Sequence, residues 1–277
     1  MGFEQQPAKA APHDDGLPLR RADADGIATI TLDHAPSRNA LSDAMIAALS
    51  DTLAAIADDR DIRVVILTAE GPAFCAGHHL KEMTARRADP DGGAAYFADL
   101  MQRCSALMQK IVALPQPVIA SVEGVATAAG CQLVASCDLA VAGAKARFAT
   151  PGVNIGLFCS TPMVALSRNL ASKHAMEMLL LGELADAETA HRFGLVNRVA
   201  PEGEALAQAR AMATTIASKS GHTLAIGKRA FYAQREMGLE EAYDYAASVM
   251  AENMMARDAE EGIGAFIEKR EPRWQGR

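Results

Sequence analysis

The apolar positions of this 277-residue chain change their period along its length. Residues 26–32 alternate, with Ala28, Ile30 and Leu32 on one face, and this predicts a strand. Ser42 then offers a helix N-cap with Asp43 in the first turn, and Met45, Leu49, Leu53 and Ile56 follow as one helical stripe. Residues 63–68 contain the unbroken run Val64-Val65-Ile66-Leu67, the pattern of a buried strand, which Glu70-Gly71-Pro72 ends. Residues 86–93 form a polar, breaker-rich loop, suited to movement and to shaping a substrate tunnel. A helical stretch follows to about Leu114. Pro115 and Pro117 stop it and lead into an apolar strand over 118–122. Residues 139–142 read as another strand. Strand and helix signals alternate to about Val199, which predicts an α/β architecture.

From Glu202 the strand signals stop, and the pattern predicts helices over 206–218, 223–237, 239–257 and 259–269. The expected division is therefore a flexible tail over 1–17, an α/β core over 18–201 and a helical region over 202–277 that forms a packing layer of its own.

Composition narrows the function. Net charge is −7 and the basic residues are dispersed, which argues against a nucleic-acid-binding face but leaves room for a phosphorylated ligand. Residues 1–15 are polar and carry Glu4, Asp14 and Asp15, unlike a signal or transit peptide. No apolar stretch is long enough to span a membrane, and the expected location is cytoplasmic. The cysteines Cys75, Cys104, Cys131, Cys137 and Cys159 sit mostly among small or apolar residues and read as reduced, partly buried thiols. No Cys or His spacing suits a metal. The adjacent His78 and His79 would point to opposite sides of an extended chain.

Two segments carry chemistry. One is Pro72-Ala73-Phe74-Cys75-Ala76-Gly77-His78-His79-Leu80-Lys81-Glu82-Met83. The other runs from Val122-Glu123-Gly124 through Thr127-Ala128-Ala129-Gly130-Cys131-Gln132-Leu133 to Cys137-Asp138. Small residues let a ligand approach the backbone, and the second loop leads into a helix beginning near Gly130. Together, over about residues 26–274, these segments resemble the two oxyanion-hole loops of the enoyl-CoA hydratase/isomerase (crotonase) superfamily. The fold implied is a ββα superhelix whose C-terminal helices build a trimer, often stacked as a hexamer.

The resemblance also implies the ligand and the site. The ligand would be an acyl-CoA thioester, with coenzyme A as part of the substrate and no other cofactor or metal. The backbone amides of His78 and Ala129 would hold the thioester oxygen as an enolate forms. Most relatives have glycine where this chain has Ala129. Arg38 and Ala40, in Pro36-Ser37-Arg38-Asn39-Ala40-Leu41, would meet the nucleotide end of CoA beside Ala76 and His78. Phe266 and Lys269 would reach a CoA on the neighbouring subunit. Taken alone, Arg38 and Lys269 also read as solvated surface cations.

The family places two catalytic glutamates where this chain has Gln132 and Gly152, and a further acid of some isomerising members where it has Ser160. An amide has no useful basic pKa and glycine has no side chain, so hydration should be poor. Restoring glutamates at 132 and 152 should raise it if the pocket tolerates both. Asp138 reads as structural and Glu82 as a cap or ion-pair partner. His78 and His79 are the nearest titratable side chains, able to act if their pKa is near neutral, and His79 is expected in solvent. The strings Thr127–Leu133, Phe148–Asn154 and Gly156–Pro162 resemble a branch of hydratase-domain-containing proteins. The expected activity is that of an enoyl-CoA hydratase-like enzyme. The alternatives are an acyl-CoA decarboxylase-like enzyme and a non-catalytic acyl-CoA-binding protein.

Overall fold

A computed structural model describes residues 17–277, so the expected tail lies outside the described residues except for Leu17. The first strands, β1 (Leu19–Ala24) and β2 (Ile27–Leu32), pair antiparallel, and helix α1 (Asp43–Ala57) follows. The predicted stripe on α1 is buried, and Ser42 accepts the Met45 amide as its N-cap.

The chain then winds three times through the same step. Strand β3 (Val64–Ala69) leads to β4 (Ala73–Cys75), α2 (Leu80–Ala85) and α3 (Ala94–Ala113). Strand β5 (Val118–Val122) leads to β6 (Val125–Thr127) and α4 (Ala129–Ser136). Strand β7 (Leu139–Gly143) leads to β8 (Arg147–Ala149), a 3-10 turn over Pro151–Ile155 and α5 (Ser160–Asn169). The segment expected as a loop over 86–93 contains a short 3-10 helix at Arg86–Ala88, and Gly93 opens α3.

Next come α6 (Ser172–Leu181), β9 (Ala185–Asp186), α7 (Ala187–Phe193) and β10 (Arg198–Ala200). Four helices close the chain: α8 (Ala205–Ala217), α9 (Gly221–Gln234), α10 (Leu239–Met254) and α11 (Arg257–Glu268). Each winding gives one strand to each of two sheets. The larger sheet has the order β1-β2-β3-β5-β7-β10, and the smaller β4-β6-β8-β9. Within the windings both sheets are parallel, so successive strands end at the same edge. This is the strand-strand-helix superhelix that the resemblance implied.

The run Val64-Val65-Ile66-Leu67 is apolar throughout because both sheet faces are covered. Val65 and Leu67 point into the main core with α1 and α3. Val64 and Ile66 point to the other face, where they meet Ile119, Val141 and the Ala205, Ala209 and Ala213 stripe of α8. The alanines let α8 lie close against the strands. The helices after residue 202 are therefore not a separate layer throughout: α8 is the second cover of the larger sheet. The apolar period of α8 is visible in sequence, but which surface it covers is a tertiary fact.

Candidate functional site

The smaller sheet assembles the site. Strands β4, β6 and β8 are parallel neighbours, in register Cys75 with Ala126 and Thr127 with Ala149. Their C-terminal ends therefore deliver the turns at residues 76–79, 127–129 and 150–152 to one edge. Ligands of open parallel sheets commonly bind beyond that edge. His78, Ala129 and Gly152 are brought together by this register and by nothing local to their sequences.

Thr127 Oγ1 donates to the Ala76 carbonyl at 3.1 Å and joins the first two turns. Gly77 has φ +92°, and a Cβ built on it would lie 3.0 Å from the Thr127 carbonyl and 3.4 Å from the Ala129 amide. A Cβ on Gly130 would run into the Cys75 carbonyl, so glycine there lets α4 abut β4. Helix α4 starts at Ala129, one residue before the expected start, which makes the Ala129 N–H one of the free donors of its first turn. Among the described residues neither the His78 nor the Ala129 amide has a hydrogen-bond acceptor. The residue before that donor is strained: Ala128 has φ 51° and ψ −117°, a region that suits glycine.

A third segment braces the first turn. Ala76 N–H donates to the Arg38 carbonyl at 3.1 Å, and Leu41 N–H donates to the Gly77 carbonyl at 2.8 Å. Arg38 and Asn39 are both left-handed, with φ of 55° and 54°. Asn39 is fully buried. Its side chain accepts from the His34 amide at 2.7 Å and donates to the Glu70 and Ala73 carbonyls, both at 2.8 Å. Asn39 is thus the residue that fixes this loop. Its only sequence signal was an Asn, a type that tolerates left-handed backbone, in a turn-like segment. Arg38 and Ala40 flank it: Ala40 is buried, and Arg38 is exposed with no acidic partner among the described residues.

One cavity is lined by the turns, and a second begins a helical turn past Ala129. The first, of about 570 Å³, is lined by Arg38, Ala76, Thr127, Ala149, Pro151 and Leu184 among others, and no carboxylate lines it. The other, of about 670 Å³, lies between α3, α4, α5 and the end of α9 and reaches Gln132. Gln132 is 3% exposed, and its Oε1 is buried without a partner. The single carboxylate of this cavity's lining, Glu236, accepts a hydrogen bond from Arg168.

The side chains named as acid or base candidates behave differently from expectation. Burial pushes the His78 imidazole down to about 4, and its Nε2 has no partner. It is therefore neutral at pH 7 and not poised near neutrality as the sequence allowed. His79 is not a free solvent residue either. Its Nδ1 accepts the Glu82 amide at 3.2 Å and caps α2. Glu82 in turn accepts the Asp43 amide at 3.1 Å, a capping role.

Gly152 has no room for a side chain: a Cβ there would lie 2.7 Å from the Leu157 carbonyl and 2.9 Å from Cys159 Sγ. The expected gain in hydration from glutamates at 132 and 152 depended on the pocket taking both side chains, and Gly152 does not meet that condition, because a side chain there displaces the following loop. Ser160 opens α5, and its hydroxyl turns back to the Phe158 carbonyl at 3.4 Å. Cys159 and Cys131 are protonated thiols, both raised by burial, Cys131 to about 12.

Asp138 is structural, as read from sequence. It accepts from the Val118 amide at 2.7 Å, Lys228 Nζ at 2.7 Å and Tyr232 Oη at 2.9 Å, and so ties α9 to β5. Phe266 and Lys269 lie at the end of α11 and line neither cavity, so the single chain does not bring them to the turns. Among the described residues no three His, Cys, Asp or Glu side chains gather as a metal site, and no helix is long and apolar enough to cross a membrane.

Comparison with known proteins agrees with this architecture. The family model described as enoyl-CoA hydratase/isomerase matches residues 22–277. The chain is 48% identical over 250 residues to the rat protein named enoyl-CoA hydratase domain-containing protein 3, mitochondrial, covering 90% of this chain and 82% of that one. The human protein of that name is 47% identical over 257 residues, covering 93% and 83%. A crystal structure titled enoyl-CoA hydratase from Mycobacterium smegmatis superposes with a TM-score of 0.88 at 50% identity, over 93% of this chain and 98% of that one. The crystal structure of human enoyl Coenzyme A hydratase domain-containing protein 3 gives 0.88 at 46%, over 93% and 100%. The model match, the level of identity and the shared fold together place this chain in the enoyl-CoA hydratase/isomerase family.

Proposed function

We propose that the protein binds an acyl-CoA thioester and stabilises its enolate with the backbone amides of His78 and Ala129, while hydrating enoyl thioesters poorly. The observation that supports this most is the pair of unpartnered amides on two turns stapled by Thr127. Such preorganised donors act where negative charge develops, and one donor is worth about 10²–10³ in rate. The Arg38 side of the site carries positive charge and no carboxylate, which suits the phosphates of CoA.

Poor hydration follows from the acids. A hydratase needs one group to activate water and one to deliver a proton, each worth about 10²–10⁴-fold. Here Gln132 is an amide, Gly152 is closed off by Cys159, and Glu236 is held by Arg168. The same feature favours a second reading, decarboxylation of a carboxylated acyl-CoA, because the departing carboxylate leaves the enolate without any base.

Self-association as a trimer or hexamer belongs to this proposal. Leu239, Met255, Phe266 and Ile267 on or beside α10 and α11 are 72–85% exposed, an apolar surface that a neighbouring subunit would cover. The cytoplasmic location read from the sequence also stays part of it, against relatives named as mitochondrial; fractionation of cells decides that point.

The test is solvent exchange of the α-protons of a saturated acyl-CoA, followed by NMR, beside crotonyl-CoA hydration and malonyl-type decarboxylation. Exchange or decarboxylation without appreciable hydration supports the reading. Hydration at the rate of an efficient hydratase overturns it. Tight binding with no turnover on any thioester favours a non-catalytic binding protein.

A further inference from the structure

The cavity beyond Gln132 has a direction. Cys131 at the start of α4 and Cys159 at the start of α5 belong to the same buried cluster, and at the other end of both helices Asn169 Nδ2 donates to the Ala135 carbonyl at 2.8 Å. Helices α4 and α5 therefore run side by side with the same polarity, and the cavity lies along both. Its inner end is Gln132, one turn beyond the Ala129 amide. Its walls are apolar, with Met108, Val112 and Val164 among them.

The outer end is charged. Arg168, Arg235 and Glu236 line it. Arg168 Nε donates to Glu236 at 3.2 Å, and Arg235 donates to the Arg168 carbonyl. Arg235 also lies 5.6 Å above the Phe231 ring and has no acidic partner among the described residues. Two guanidiniums against one carboxylate leave an uncompensated positive charge at the mouth.

From this arrangement we infer that the cavity selects acyl groups ending in a carboxylate, that is, medium-chain ω-carboxyacyl thioesters, with Arg235 as the principal recognition residue. The inference rests on the acyl-CoA reading above. The thioester stands at the His78 and Ala129 amides, the methylene chain lies along Met108, Val112 and Val164, and the terminal carboxylate takes the free donors of Arg235 and Arg168. Length sets the range. Thr161 and Arg168, both lining residues, are seven positions apart on α5, about 10 Å at 1.5 Å per residue. An extended chain advances about 1.2 Å per bond, so the cavity itself holds about eight bonds of an acyl chain, which places the ligand in the medium-chain range. A guanidinium fork matches a carboxylate in two parallel hydrogen bonds, which a methyl terminus cannot offer. Glu236 works against such a ligand by occupying Arg168, and this gives the idea a signature that a merely structural cluster lacks.

The experiment is calorimetric titration of the purified protein with octanoyl-CoA and octanedioyl-CoA, which share chain length and differ at the far end. Wild type should bind octanedioyl-CoA more tightly by about tenfold or more, with the preference shrinking as salt rises. Arg235→Gln should remove most of that preference and leave octanoyl-CoA within about twofold. Glu236→Gln should tighten octanedioyl-CoA alone. Equal affinity of wild type for both thioesters, or equal weakening of both in Arg235→Gln, overturns the inference and leaves the acyl-CoA reading intact. Failure of wild type to bind either thioester removes the acyl-CoA reading itself and the inference with it.

Discussion

Cys159 occupies the space into which a side chain at Gly152 would grow: a Cβ on Gly152 would lie 2.9 Å from Cys159 Sγ, with the Leu157 carbonyl at 2.7 Å on its other side. The loop is closed further by the Leu157 amide, which donates to the Gly152 carbonyl at 2.9 Å. A carboxylate at 152 must therefore push backbone and not merely rotate a neighbour. Overpacking of this kind costs about 1–3 kcal/mol. Gly152→Glu, alone or with Gln132→Glu, should lower Tm by roughly 3–10 °C. Neither variant should gain crotonyl-CoA hydration, which scanning calorimetry and a hydration assay would check together. A double variant that hydrates well at unchanged Tm would show that the loop yields freely.

Ala128 should respond in the opposite direction. Its φ of 51° with ψ of −117° is costly for any residue with a Cβ. Relief of about 1–3 kcal/mol of strain exceeds the entropy that glycine adds to the unfolded chain, about 0.4–1 kcal/mol. Ala128→Gly should thus raise Tm by a few degrees. A lower Tm would mean that packing of the Ala128 methyl outweighs the strain.

His78 provides a backbone donor and a pH-dependent contribution to stability. Its folded pKa of about 4 lies below the ordinary 6.5 because the buried ring avoids charge. The unfolded chain then binds the proton first as pH falls. The stability contribution is complete above pH 6.5 and is lost progressively toward pH 4, by about 3 kcal/mol at most. Wild type should lose more stability than His78→Leu across that window in urea titrations. If both fall in parallel, the loss comes from other groups.

The same residue separates amide from ring in the chemistry. His78→Ala keeps the N–H and should retain thioester α-proton exchange, while His78→Pro removes it and should cost about 10²–10³ in rate. Circular dichroism must show the proline variant folded, since proline also fixes φ. Equal loss in the two folded variants would assign the chemistry to the imidazole.

Asp138 should prove a keystone of stability and not of chemistry. It holds Lys228, whose side chain is 7% exposed, together with Tyr232. Removing one partner of a buried pair typically costs about 3–5 kcal/mol. Asp138→Ala should lower Tm by about 6–20 °C. It should also loosen α9 and expose the far end of the cavity, as hydrogen exchange of α9 amides would show.

Much of this protein is written in local pattern. The α1 stripe, the Ser42 cap, the buried run at Val64–Leu67 and the prolines before β5 each act over a few residues, and period and turn chemistry report such constraints directly. The two small-residue turns were visible for the same reason, since close backbone approach demands glycine or alanine wherever it occurs. Other properties depend on groups far apart in sequence. The pKa of His78, the capping role of His79, the obstruction of Gly152 by Cys159 and the cover that α8 gives the larger sheet arise only when parallel strands end at one edge and helices close over them. Desolvation and steric exclusion are set by what surrounds a residue, and a sequence names the residue without its surroundings. Gln132 shows the division within one side chain: the sequence determined that it is an amide, and the tertiary structure decided that its oxygen lies buried and unpartnered beside a cavity with arginines at the far end.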